Sequence, residues 1–69
     1  AEVTVILYKD TAYDSYRLTW NNGSRERDIT EDGHEELTFR LGSGLHIFRL
    51  EYYIGDKLKK VVEREVDVK

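Results

Sequence analysis

The chain contains no cysteine, no proline and no methionine in 69 residues. Without cysteine no disulfide can staple the fold, and nothing can be read about redox compartment. A core of this size on its own rarely supplies more than about 3–5 kcal/mol, so stability falls to packing, turn chemistry or self-association. Proline at its average usage of about 5% would appear roughly three times. Natural all-β chains use it to punctuate loops and edge strands; here Gly, Asn, Asp and Ser take that place. No apolar run approaches the roughly 20 residues that cross a bilayer as a helix, and no signal-peptide pattern is present. The sequence therefore points to no membrane and leaves localisation open. Basic excess is also missing: the net charge is -3, which argues against a nucleic-acid partner.

What is present is a mixed-charge surface, 36% charged and 39% apolar, on a length that suits one domain spanning residues 1–69. The organising stretch is the last third. Gly44 to Ile54 and Lys57 to Lys69 are two β-rich runs around Gly55-Asp56, a pair suited to a two-residue hairpin turn. Phe48, Leu50 and Tyr52 share one face of the first run. Leu58, Val62, Val66 and Val68 share a parity in the second, and adjacent Val61-Val62 suggests a β-bulge near Lys60. A helix over residues 56–66 is the competing reading, since 58, 61, 62 and 66 also fit a helical face; the β-branched valines favour a strand.

The earlier chain reads as four shorter strands. Val3, Val5 and Leu7 alternate with Thr4, Ile6 and Tyr8, and then Tyr16, Leu18 and Trp20 alternate with Arg17 and Thr19. Asn22-Gly23 predicts a type I′ turn, which sets Asn21 opposite Ser24 and Arg17 opposite Asp28. Ser24 to Thr30 is nearly all polar, as an edge strand should be. Leu37, Phe39 and Leu41 point inward from the next strand, and Gly42-Ser43-Gly44 turns the chain into the long hairpin. Six short strands with tight turns predict a sandwich or small barrel.

The stretch from Leu37 to Tyr52, with its Gly-rich crossover between two alternating strands, resembles the E-to-F corner of immunoglobulin-like and fibronectin type III-like domains. The hairpin around Gly55-Asp56 resembles their F–G hairpin, and Trp20 their core tryptophan. The cysteine pair of antibody domains is missing, and His46 stands near the position of a corner tyrosine. Idealised turns, charge-decorated strands and the absence of Pro, Met and Cys make the chain similar to computationally designed immunoglobulin-like domains. The resemblance implies an all-β, small antiparallel immunoglobulin-like sandwich of six to seven strands, acting as a structural scaffold with no biochemical activity of its own. The alternative it leaves is a natural interaction module, bacterial immunoglobulin-like or carbohydrate-binding, from a larger protein.

No catalytic or cofactor motif emerges. Asp28, Thr30, Asp32 and Gly33 imitate the start of a calcium loop, but Phe39 stands where a bidentate Glu is required; a solvated Asp-Gly turn is the plainer account. His34 and His46 are too few for a zinc site without carboxylates. Ser15, Ser24 and Ser43 lie outside any Gly-x-Ser-x-Gly elbow. The expectation is no enzyme, no metal and no cofactor. Ile6, Tyr8, Tyr13, Ile47, Tyr53 and Val61 fall on the parity opposite the core: scattered β-formers chosen for strand propensity are the plainer reading, and a candidate interface is the alternative. The interface alternative, through this patch or an edge strand, implies a homodimer. The basic Lys57, Lys59, Lys60 and Arg64 oppose an acidic region from Glu26 to Glu36, most simply as two solvated surfaces.

Overall fold

The computed structural model describes residues 1–69. It contains six strands and no helix: β1 Glu2–Lys9, β2 Ser15–Trp20, β3 Gly23–Asp28, β4 Gly33–Arg40, β5 Gly44–Ile54 and β6 Lys57–Val68. They form two antiparallel sheets, β1-β4 and β3-β2-β5-β6, packed face to face as a small β-sandwich. The helical alternative over residues 56–66 is thereby overturned: those residues lie in the turn and in β6, which pairs with β5 along its length.

The core follows from alternation. Leu7, Tyr16, Leu18, Phe48 and Tyr52 project from the inner faces and are buried, joined by Ile29 and Leu41 just beyond the ends of β3 and β4. Trp20, Phe39 and Phe48 form an aromatic chain between the sheets, with ring centroids 4.9 Å and 5.2 Å apart. Such tilted contacts contribute about 0.5–1.5 kcal/mol each beyond area burial. The charged β3 lies at a sheet edge, as its composition predicts.

Two local predictions are corrected. The β2–β3 loop is Asn21-Asn22, with Trp20 opposite Gly23, so Arg17 faces Glu26 and Ser15 faces Asp28. Neither Asn adopts positive φ, so no type I′ turn forms. Two contacts explain the shift. The Asn21 carboxamide donates to the Leu45 carbonyl at 3.0 Å and accepts from the Ile47 N–H at 3.3 Å, continuing the β2–β5 ladder with a side chain. Gly23 lies under the Trp20 ring, where a Cβ would come within 3.0 Å of the indole; the glycine serves close approach rather than turn φ. The second correction concerns Leu58. The β5–β6 register slips between Tyr52↔Lys60 and Tyr53↔Leu58, a bulge at Lys59, close to where one is predicted. The slip turns Leu58 onto the outer face opposite Tyr53, away from Val62, Val66 and Val68. The β5–β6 turn itself is Gly55-Asp56 as predicted, with Gly55 at φ 60°, a conformation glycine takes without penalty.

Loops are tied by carboxylates. Asp14 Oδ2 accepts the Gly55 N–H at 2.7 Å. Its backbone N–H donates to the Tyr53 carbonyl, and its carbonyl accepts from Ile29 N–H. Asp32 Oδ1 accepts both the N–H and the hydroxyl of Thr11, at 2.9 Å and 3.1 Å.

Candidate functional site

The six candidate interface residues do not form one patch. Ile6 and Tyr8 lie on the outer face of the β1-β4 sheet, opposite Glu36 and His34; Tyr8 is 64% exposed, with the His34 ring 6.5 Å away. Ile47, Tyr53 and Val61 lie on the outer face of the other sheet, on the far side of the sandwich. Tyr13 sits in the β1–β2 loop, half-buried with its ring 5.0 Å from Tyr52 and packed against the core.

The outer face of the larger sheet carries the wider surface. Exposed Leu45, Ile47, Leu58 and Val61 surround a belt of ion pairs. Arg49 bridges Glu51 at 3.0 Å and Glu63 at 3.5 Å, and Arg17 pairs with Glu26 at 3.3 Å. The Tyr53 hydroxyl donates to Glu51 at 2.9 Å. That bond, followed by the one from Arg49, holds the Glu51 carboxyl below its ordinary range; the same bond pushes the Tyr53 hydroxyl up. Stabilising the charged form of a carboxylate lowers its pKa, and a phenol that donates to an anion resists losing its proton.

A different surface lies along one long side of the sandwich. Here β1 and β6 each end a sheet, and between them opens a cleft of about 250 Å³, its walls mostly apolar. Val3, Val5 and Leu7 line one side. Phe48, Leu50, Val62 and Val66 line the other, with Arg64 as the cation. The opposite long side is closed. Tyr16 donates to Glu35 at 3.2 Å, and Arg25 reaches Glu35 and the Tyr16 hydroxyl at 3.3 Å and 3.4 Å.

The groups with potential for chemistry are held in structural contacts. Asp32 is bonded to Thr11, and the backbone N–H of Thr11 is the main reason its carboxyl lies below the ordinary range. His46 Nε2 donates to the Gly42 carbonyl at 2.9 Å, which makes Nε2 the protonated nitrogen. No hydrogen bond joins either histidine to Ser15, Ser24 or Ser43, and no group of three or more histidine or carboxylate side chains gathers at metal-binding distance. The Tyr52 hydroxyl is pushed up first by burial, and donates to the Tyr8 carbonyl, tying the two sheets.

Reading the sequence missed Leu45, Ile54 and Leu58 as exposed apolar residues. Leu45 shares parity with Ile47 and could have been found from alternation alone. Leu58 could not, because the bulge reverses its face. The cleft was also out of reach, since it needs the pairing of both sheets.

The fold defines a small all-β sandwich of six strands in two antiparallel sheets. No protein-family model, no curated protein and no solved structure matches the chain.

Proposed function

We propose that this protein is a structural scaffold, a designed immunoglobulin-like sandwich without chemistry of its own, that associates with a second copy of itself. The observation that carries the reading is the contrast between polar groups and apolar surface. Asp14, Asp32, His46 and Tyr52 hold loops and sheets together, while Leu45, Ile47, Leu58, Val61, Ile6 and Tyr8 stay exposed on strands. The order β3-β2-β5-β6 opposite β1-β4 supports the immunoglobulin-like part, because it follows the C′-C-F-G and B-E arrangement of variable-type sandwiches. The bond from His46 back to the Gly42 carbonyl also supports it, in the manner of a corner tyrosine reaching upstream backbone. Sedimentation equilibrium over a concentration series tests the association: a dimer that dissociates on dilution is expected, and one chain mass throughout counts against it.

The second reading is a natural interaction module, immunoglobulin-like or carbohydrate-binding. It draws support from the Tyr8 ring, exposed enough to stack on a sugar. A glycan array decides between them: silence favours the scaffold, and saturable binding abolished by Tyr8→Ala favours the module.

A further inference from the structure

The longest strand of the fold, β6, is hydrogen-bonded on one side only. Its other side leaves a row of backbone N–H and C=O groups without a partner strand, the template on which another strand can add. The charges along it are unevenly distributed. Lys57, Lys59 and Lys60 make its beginning basic, and Glu63, Glu65 and Asp67 outnumber Arg64 in its end, with Val61-Val62 between. A second β6 laid parallel would set like charge on like. Laid antiparallel about Val62, it sets the net-basic half of each copy against the net-acidic half of the other, twice over. The other edge of the same sheet shows no such order: in β3, Arg25, Glu26, Arg27 and Asp28 alternate in sign.

The cleft supplies an independent argument. It opens along the same side as the free edge of β6, and Val62 and Val66 of its wall are only half-buried. A twofold axis perpendicular to the sheet keeps the inner faces of both copies on one side, so their two clefts meet across the seam and cover each other. We infer that two copies of this chain join through antiparallel pairing of their β6 edges, extending β3-β2-β5-β6 into one continuous sheet. The inference rests on the self-association proposed above and names its surface. Such an interface is isologous and closes after two copies. Charge on an edge strand also serves to keep other chains away; the uneven charges along β6 oppose a parallel neighbour and favour an antiparallel one.

Sedimentation equilibrium on four samples tests this: the unaltered chain, Lys57→Glu/Lys59→Glu, Glu65→Lys/Asp67→Lys, and an equimolar mixture of the two variants. The unaltered chain should reach twice its 8.2 kDa mass. Each variant alone sets like charges together and should dimerise about tenfold or more weakly. The mixture should recover the lost affinity, because an acidic edge then meets a basic one. A salt titration of the unaltered chain needs no substitution, and its dimer should loosen as ionic strength rises. Variants that dimerise as tightly as the unaltered chain, a mixture that recovers nothing, or a dimer indifferent to salt would overturn the β6 pairing while leaving self-association standing. A single-chain mass at every concentration would overturn both.

Discussion

Along the β3/β4 side of the sandwich, Arg25 and Tyr16 converge on Glu35, and Trp20 packs on Phe39. Along the β1/β6 side no side-chain hydrogen bond or ion pair joins the two edge strands, and apolar side chains from both sheets face an open cleft. The inner residues show the same contrast. Tyr16, on the closed side, is 1% exposed, whereas Val62 and Val66 are half-buried at the rim of the cleft. A sheet of two strands cannot cover a sheet of four, and the side that lacks polar closure is the side left uncovered. The difference teaches where the fold draws its stability and where it has surface to offer a partner.

Substitutions on the two sides should separate these roles. The largest effect is expected at the buried floor between the sheets: Leu18→Ala should lower stability by about 2–5 kcal/mol, a large share of the total for a chain this small, read as the urea midpoint. Val62→Ala at the half-buried rim of the cleft should lose only about 1 kcal/mol in dilute, monomeric protein. Equal losses at the two positions would erase the contrast. Gly23→Ala comes next, because the added methyl meets the Trp20 ring at 3.0 Å; a loss of about 1–3 kcal/mol is expected, with a shift in tryptophan fluorescence as the ring moves. Tyr16→Phe removes the hydroxyl that serves both Glu35 and Arg25, and should lower stability by about 0.5–1.5 kcal/mol with the strand spectrum unchanged.

The smallest effect concerns acid. Glu51 is held below the ordinary carboxylate range by Tyr53 and then Arg49. The folded chain thus binds this proton less readily than the unfolded one. Its contribution is present above the unfolded carboxylate pKa, about 4.3 for Glu, and is lost as pH falls through the depressed folded value. Urea midpoints measured from neutral pH downward should fall less steeply for Glu51→Gln than for the unaltered chain; identical slopes would remove the Tyr53–Glu51 bond from the account.

Local chemistry made much of this architecture legible before any coordinates. Strand alternation over Val3–Leu7, Tyr16–Trp20, Leu37–Leu41 and Phe48–Tyr52 predicts inner faces that the structure confirms, because a side-chain period of two is a property of extended backbone alone. The Gly55-Asp56 turn was equally readable. The Asn-Gly signal misled, because the Asn21 side chain found partners on β5 and Gly23 was needed beneath Trp20. The first joins residues distant along the chain; the second is a ring packing over its own turn. The candidate surface was legible residue by residue but not as a surface: Ile6 and Tyr8 fall on one side of the sandwich, and Ile47, Tyr53 and Val61 on the other.

The sequence by itself determined that this protein is built from strands, where most of them turn, and which side chains of each strand seek the interior. Periodicity and turn chemistry act over a few neighbouring residues and need no partner. Only the tertiary structure decided that β1 and β6 end their sheets on the same side, that the bulge at Lys59 turns Leu58 outward, and that an apolar cleft opens beside the uneven charges of β6. Those outcomes depend on which strands pair, in what register and under which layer, and pairing joins residues that lie far apart along the chain.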